Sequence, residues 1–136
     1  MSETGFPDAA HFRKLENMYH AAPCNAAYQP TLRVAEGQTE LVFEVKPAFH
    51  HAAGAAHGSV YFKALDAFIV TSTFTVYLLR PVASGQLRAE GRVVSHARTQ
   101  LLAEAAAFDE AGRQVARGSG VFVKTRQPLT EALGYR

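Results

Sequence analysis

The stretch HHAAGAAHGSVYFKALDA, from His50 to Ala67, decides the fold of this chain. Its first part has the composition of a loop. From Gly58 onward, apolar residues recur three to four positions apart, which predicts a helix that begins near Gly58. A helix N-terminus exposes unpaired backbone N–H groups at the positive end of the helix dipole. The stretch therefore predicts a site for an anion, or for a carbonyl oxygen that becomes one.

A carboxylate, Asp66, lies eight residues after Gly58 in the same stretch. Its neighbours are mainly apolar, and a carboxylate in such surroundings is poorly solvated and reactive. The helical rise separates Gly58 from Asp66 by ~12 Å, whereas a donor and a base that serve one carbonyl both lie within ~3–4 Å of it. We therefore expect the site to lie at a dimer interface, with Gly58 from one protomer and Asp66 from its partner.

The segments on either side predict an antiparallel sheet. Upstream we expect a helix at about residues 8–22, followed by strands at Thr31–Ala35 and Thr39–Lys46. Downstream, β-branched, aromatic and alternating residues predict strands at Ile69–Val82, Gln86–Ser95, Thr99–Phe108 and Arg113–Lys124. A hairpin turn is expected at Asp109–Gly112, and a bulge or close backbone approach at Gly118–Gly120. This order lacks β-α-β alternation and predicts an α+β fold, with one antiparallel sheet wrapped around the second helix. Its long edges favour an oligomer.

The length of 136 residues predicts a single domain, 1–136, with a loosely held tail from about residue 127. A net charge of +2 is too small an excess to indicate nucleic-acid binding. No apolar stretch approaches the ~20 residues of a membrane span, and the N-terminus has no secretory-signal pattern. The single cysteine, Cys24, cannot form an internal disulfide, which favours a cytoplasmic location.

Other chemistries find little support in the sequence. The histidines His50, His51 and His57 form neither an HExxH motif nor an i, i+4 pair, so we expect no metal and no other cofactor. Cys24 follows a proline and has no partnered base visible in the sequence. Ser59 does not lie in a G-x-S-x-G motif, so a serine-hydrolase elbow is not supported.

The segment as a whole resembles a known family, the hotdog-fold acyl-CoA thioesterases related to the phenylacetate-degradation thioesterase. The resemblance covers about Phe43–Lys124 and includes the strand Phe74–Pro81, the strand Gly85–Val94 and the hairpin Gly112–Phe122. The motif residues that carry it are His51, Gly54, His57, Gly58, Ser59, Leu65 and Asp66.

The resemblance implies hydrolysis of an acyl-CoA thioester. Asp66 is then the general base or nucleophile, the Gly58 N–H polarises the thioester carbonyl, and His57 shapes the helix start. Further implied roles concern the water and the substrate. His51 is implied to help fix the substrate or the water, and Ser59 to bind the substrate. One of Thr71, Ser72 and Thr73, near the start of the next strand, is implied to orient the water or the carboxylate. Arg80 and Arg98 are implied to lie near the coenzyme A phosphates.

Two departures from the family pattern stand out. His51 takes a place usually held by asparagine, and this departure predicts an altered pH dependence of the activity. Only a few residues separate Asp66 from the next strand, so either the central helix is short or the chain passes abruptly into the strand, and we expect a more open acyl pocket. Two alternatives remain: an acyl-thioester hydratase or dehydratase that uses His57 with Asp66, and a non-catalytic acyl-CoA-binding module. The expected assembly is a homodimer or homotetramer, with neither nucleic acid nor membrane as a partner.

Overall fold

The computed structural model describes residues 9–65, 70–123 and 128–136. Two α-helices and six strands lie in these ranges, in the order that the sequence predicts. The helices are α1 (Ala9–Ala21) and α2 (Gly58–Leu65). The strands are β1 (Thr31–Ala35), β2 (Gln38–Val45), β3 (Val70–Leu78), β4 (Gly85–His96), β5 (Gln100–Phe108) and β6 (Gln114–Val123).

The six strands form one antiparallel sheet in the order β1-β2-β4-β5-β6-β3. The helix α2 packs against β3, β4, β5 and β6. This arrangement confirms the α+β fold with a sheet around a central helix. The strands β1 and β3 lie at the two edges. Of the helices described, neither is long and apolar enough to cross a membrane.

Strand β3 ends at Leu78, earlier than the predicted end at Val82. The backbone N–H groups of Leu79 and Arg80 both donate to the Val115 carbonyl, so the regular ladder stops there. Pro81 has no N–H with which to resume it. The prediction is therefore wrong at the end of this strand, because the chain turns away to reach β4.

Burial along β4 shows how far α2 extends over the sheet. Near the start of β4, Leu87 and Ala89 are buried, whereas Val93 and Val94 near its end are 37% and 52% exposed. An eight-residue helix is ~12 Å long, while the twelve residues of β4 span roughly 40 Å. The eight described residues of α2 thus extend over only part of the concave face.

Gly118 and Gly120 of β6 allow a neighbouring group to approach the backbone closely. The sequence predicts either a bulge or such an approach at Gly118–Gly120. The Phe74 ring lies against both glycines, and a Cβ at Gly118 would lie 2.6 Å from its Cε1 atom. The bulge in this part of the sheet occurs instead in β3, between Thr71 and Thr73. The Phe74 ring thereby packs directly on the backbone of both glycines.

The described part of the C-terminal tail packs against α1. The Tyr135 hydroxyl lies 2.8 Å from His11 Nδ1, and Asn17 donates to the Arg136 carbonyl. Gly134 has a φ of +87° and packs so tightly on Ala21 that a side chain there would clash. The sequence predicts a loosely held tail, whereas its described residues make these specific contacts. A local sequence pattern does not reveal them, because they join residues more than a hundred positions apart.

Candidate active site

The start of α2 is held in place by its own cap. The His57 backbone N–H donates to the Phe49 carbonyl at 2.9 Å, and the Val60 N–H donates to the His57 carbonyl at 2.9 Å. The Ser59 N–H donates to His57 Nδ1 at 3.1 Å. A side-chain acceptor that binds an amide two residues on satisfies a helix N-terminus. His57 is therefore the residue that caps α2.

The capping leaves one amide at the helix start available. Within the described residues, the Gly58 N–H makes no hydrogen bond, while its two successors are bonded to His57. Gly58 is half-buried beneath Leu78, and a Cβ at Gly58 would lie 3.1 Å from the Leu78 Cδ1 atom. The helix thus presents a single N–H donor at its positive end, on a residue that has no side chain of its own.

The loop before α2 is braced by hydrogen bonds of its own. The Ala56 N–H donates to the Val82 carbonyl at 2.8 Å, which ties the loop to the chain that leaves β3. His51 Nδ1 accepts the Ala53 N–H at 3.0 Å, and His50 Nε2 lies 2.6 Å from the Ala83 carbonyl. Each of these histidine rings therefore supports the loop conformation.

Within the part of the chain that the structure describes, the side chains do not assemble a metal centre. In residues 9–65, 70–123 and 128–136, no group of three His, Cys, Asp or Glu side chains could hold a metal ion. The rings of His50 and His57 are each engaged with neighbouring oxygen atoms. The loop histidines instead hold the backbone conformation around Gly58 through these hydrogen bonds.

Asp66 lies outside the described residues. The two residues before it, Ala64 and Leu65, are buried in the core. Beyond the gap, Thr71 is half-buried, and Ser72 and Thr73 are exposed at the bulge near the start of β3.

The predicted site residues fall at two opposite ends of the sheet. At one end, Leu78 covers Gly58, and the Tyr61 hydroxyl donates to the Arg80 carbonyl at 2.9 Å. At the other end, the exposed Arg98 lies in the turn between β4 and β5, two residues before Gln100.

Register shows that this second end is where β3 begins. Gln100 pairs with Val123, and Val123 in turn pairs with Val70. The nine residues of β3 separate the two ends by roughly 30 Å. One chain therefore brings His57, Gly58 and Ser59 close to Arg80 at one end of the sheet. It places Thr71–Thr73 and Arg98 at the other end, so the two groups of residues do not meet within one chain.

Two contacts at the Gly58 end were not predicted. Tyr61 is buried, which raises the pKa of its hydroxyl, and it ties the helix to the Arg80 carbonyl. The helical spacing of Tyr61 signalled its burial but not its partner. Leu78 lies twenty residues after Gly58, and nothing in the sequence indicates that its side chain covers the glycine.

Comparison with solved structures finds this architecture in proteins of the thioesterase superfamily. The PaaI protein of the phenylacetic acid degradation operon of E. coli is similar, with a TM-score of 0.78 at 18% identity over 89% of this chain and 97% of that one. A variant of PaaI from Thermus thermophilus gives a TM-score of 0.72 at 22% identity, over 76% and 100% of the two chains. Zebra fish thioesterase superfamily member 2 gives 0.74 at 13% identity, over 82% and 96%.

These likenesses show the fold. The chain has the α+β hotdog fold of thioesterase-superfamily proteins, as the sequence predicts. No protein-family model matches the sequence, and a search of curated protein sequences finds no match.

Proposed function

We propose that this protein is an acyl-CoA thioesterase. The observation that carries the proposal is the Gly58 N–H, which has no partner within the described residues and points from the positive end of a capped helix. A preorganised amide of this kind stabilises the negative charge that develops on a carbonyl oxygen under attack. The fold shared with thioesterase-superfamily proteins supports a thioester as the substrate.

The reaction needs one more group, a base or nucleophile, and we assign that role to Asp66. As a general base, its carboxylate takes a proton from water while the water oxygen bonds to the thioester carbon. As a nucleophile, it bonds to that carbon directly and forms an anhydride that water then cleaves. In both routes the carbon–sulfur bond breaks, the coenzyme A thiolate leaves and takes up a proton, and a carboxylic acid remains.

A complete site requires two protomers. The described helix α2 keeps its first and last residues, Gly58 and Leu65, ~10 Å apart in one chain. Strand β3 is an edge strand, and its Tyr77 and Leu78 side chains are 61% and 53% exposed. Exposed apolar edges favour pairing with a second chain. Antiparallel β3–β3 pairing about a twofold axis would bring the Gly58 end of one protomer to the Asp66 end of its partner.

The remaining assignments follow from this pairing. Arg80 of one protomer and Arg98 of its partner would lie on the same side of the assembly, where both could bind coenzyme A phosphates. Thr73, or its neighbours Thr71 and Ser72, would orient the water or the carboxylate. His51 and Ser59 would border the substrate at the Gly58 end.

The decisive test is thiol release from a panel of acyl-CoA substrates. Asp66→Asn should lower kcat by ~100-fold or more, because general-base or nucleophilic catalysis is lost. The matched control is Glu44→Gln, which converts an exposed carboxylate of β2 to an amide and should leave kcat unchanged. Full activity in Asp66→Asn would refute the assignment.

The same panel separates the alternatives. Loss of the enoyl absorbance of crotonyl-CoA without free thiol would identify a hydratase. Tight binding of acyl-CoA without thiol release would identify a binding module. Thiol release that depends on Asp66 supports the thioesterase alone.

A further inference from the structure

An apolar cleft lies on the concave face of the sheet beyond the end of α2. Its volume is about 450 Å³, within the range of small-molecule sites. Side chains of α1 cover it, alanines of β5 form its floor, and Leu129 of the tail borders it. The lining residues that matter here are Met18, Leu65, Phe74, Ala103, Ala105 and Leu129.

The cleft lies beside Leu65, the last described residue of α2. On β4, burial decreases from Leu87 and Ala89 to Val93, where the helix no longer covers the strand. The half-buried Ala103 and Ala105 are too small to fill the space beneath α1. Apolar surface is thus left open inside the protomer.

The position of the cleft relates it to the proposed chemistry. Leu65, which lines it, is the residue immediately before Asp66. The charged members of the lining, Arg92 and Glu104, form an ion pair with each other. Because these charges are already paired, the cleft suits an apolar group better than a charged one.

The shape of the cleft indicates a linear occupant. Its lining includes residues of β1 and of β3, the two edge strands, so it runs across the sheet for up to about 24 Å. An extended alkyl chain fits along a cleft that runs in this direction.

We propose that this cleft receives a medium-length, linear aliphatic acyl chain, inside the protomer that contributes Asp66 to the site. The proposal rests on the thioesterase function proposed above. In this proposal, α1 and the C-terminal tail help to select the length of the acyl chain. Each methylene that enters the cleft should then raise kcat/KM about three- to fourfold, until the cleft is full.

The test compares thiol release from acetyl-CoA through dodecanoyl-CoA in the wild type and three variants. Ala105→Leu adds bulk to the cleft floor and should lower kcat/KM for the long chains by about tenfold or more, with acetyl-CoA unaffected. Ala106→Leu, the same change at the next residue of β5 on the opposite face, is the matched control and should keep the wild-type chain-length profile. A second cleft variant, Met18→Ala, widens the cleft and should shift the preference to longer chains.

Binding of free dodecanoate, measured by calorimetry on the same proteins, keeps the two proposals distinguishable. Dodecanoate should bind to the wild type and to Ala106→Leu, and weakly to Ala105→Leu. Thiol release that is independent of chain length, or equal effects of Ala105→Leu and Ala106→Leu, would overturn the cleft assignment and leave the thioesterase intact. No thiol release, with dodecanoate binding lost only in Ala105→Leu, would support the cleft and overturn the proposed function. Absence of dodecanoate binding to the wild type would overturn the cleft in either case.

Discussion

The Glu16 carboxylate accepts a hydrogen bond from the backbone N–H of Val34, with an Oε1–N distance of 2.8 Å. On the same edge, Arg13 donates to the Val34 carbonyl at 2.9 Å and pairs with Glu16 at 2.9 Å. Val34 belongs to β1, whose other side pairs with β2. Two side chains of α1 thus take the place of a neighbouring strand, and they hold α1 over the sheet as the cover of the cleft.

Glu16→Ala should lower the free energy of unfolding by about 1–3 kcal/mol, because it leaves the Val34 N–H without its buried acceptor. Urea denaturation checks this value. The matched control is Glu36→Ala, which removes an exposed glutamate from the β1–β2 turn and should change stability by less than about 0.5 kcal/mol. Equal effects of the two substitutions would contradict the role assigned to Glu16.

His57 should act through the helix cap. His57→Asn retains a side-chain acceptor for the Ser59 N–H, so stability and thiol release should stay close to the wild type. His57→Leu removes the acceptor and should cost about 1 kcal/mol of stability. Thermal unfolding and thiol-release assays measure both effects. A folded His57→Asn variant without activity would instead favour acid–base chemistry at His57, as a hydratase requires.

A site shared between protomers predicts complementation in heterodimers. One chain carries Gly58→Val and the other Asp66→Asn, and two different affinity tags isolate the mixed dimer. One of its two sites then combines an intact Gly58 with an intact Asp66, so about half of the wild-type activity should return.

The reciprocal heterodimer is the control for this experiment. With both substitutions on one chain and a wild-type partner, each shared site contains one damaged group, and activity should be absent. Half activity in this control, with none in the first heterodimer, would place the whole site within one chain.

Stability at acid pH should depend on Asp109. The backbone N–H of Arg113 donates to this carboxylate at 2.9 Å, and together with the guanidinium it lowers the pKa of Asp109 below its ordinary value of 3.8. A lowered pKa in the folded state stabilises the protein above that ordinary value, and the contribution is lost as the pH falls toward the folded-state pKa. Asp109→Asn should therefore make the dependence of the unfolding temperature on pH shallower below about pH 4. Glu110→Gln, at the adjacent exposed carboxylate, is the control and should leave that slope unchanged.

The sequence predicted most of the secondary structure because local signals agree along the chain. The alternating pattern of β2 predicts that Leu41, Phe43 and Val45 share one face, and all three are buried. The start of α2 at Gly58 follows from the change in hydrophobic periodicity after the loop. The end of β3 was missed, because the turn of Leu79 and Arg80 toward Val115 depends on a strand nearly forty residues away.

The sequence by itself determined the α+β class and the order of the elements, and it predicts that a helix-start glycine acts with a carboxylate eight residues later. These properties depend on periodicity and on distances along one helix. Only the tertiary structure decided that His57 caps its helix and leaves the Gly58 amide available, that Leu78 covers Gly58, and that the tail docks on α1. It also decided that an apolar cleft opens beyond Leu65. Each of these depends on contacts between distant segments or on the detailed path of the backbone, which no local pattern encodes.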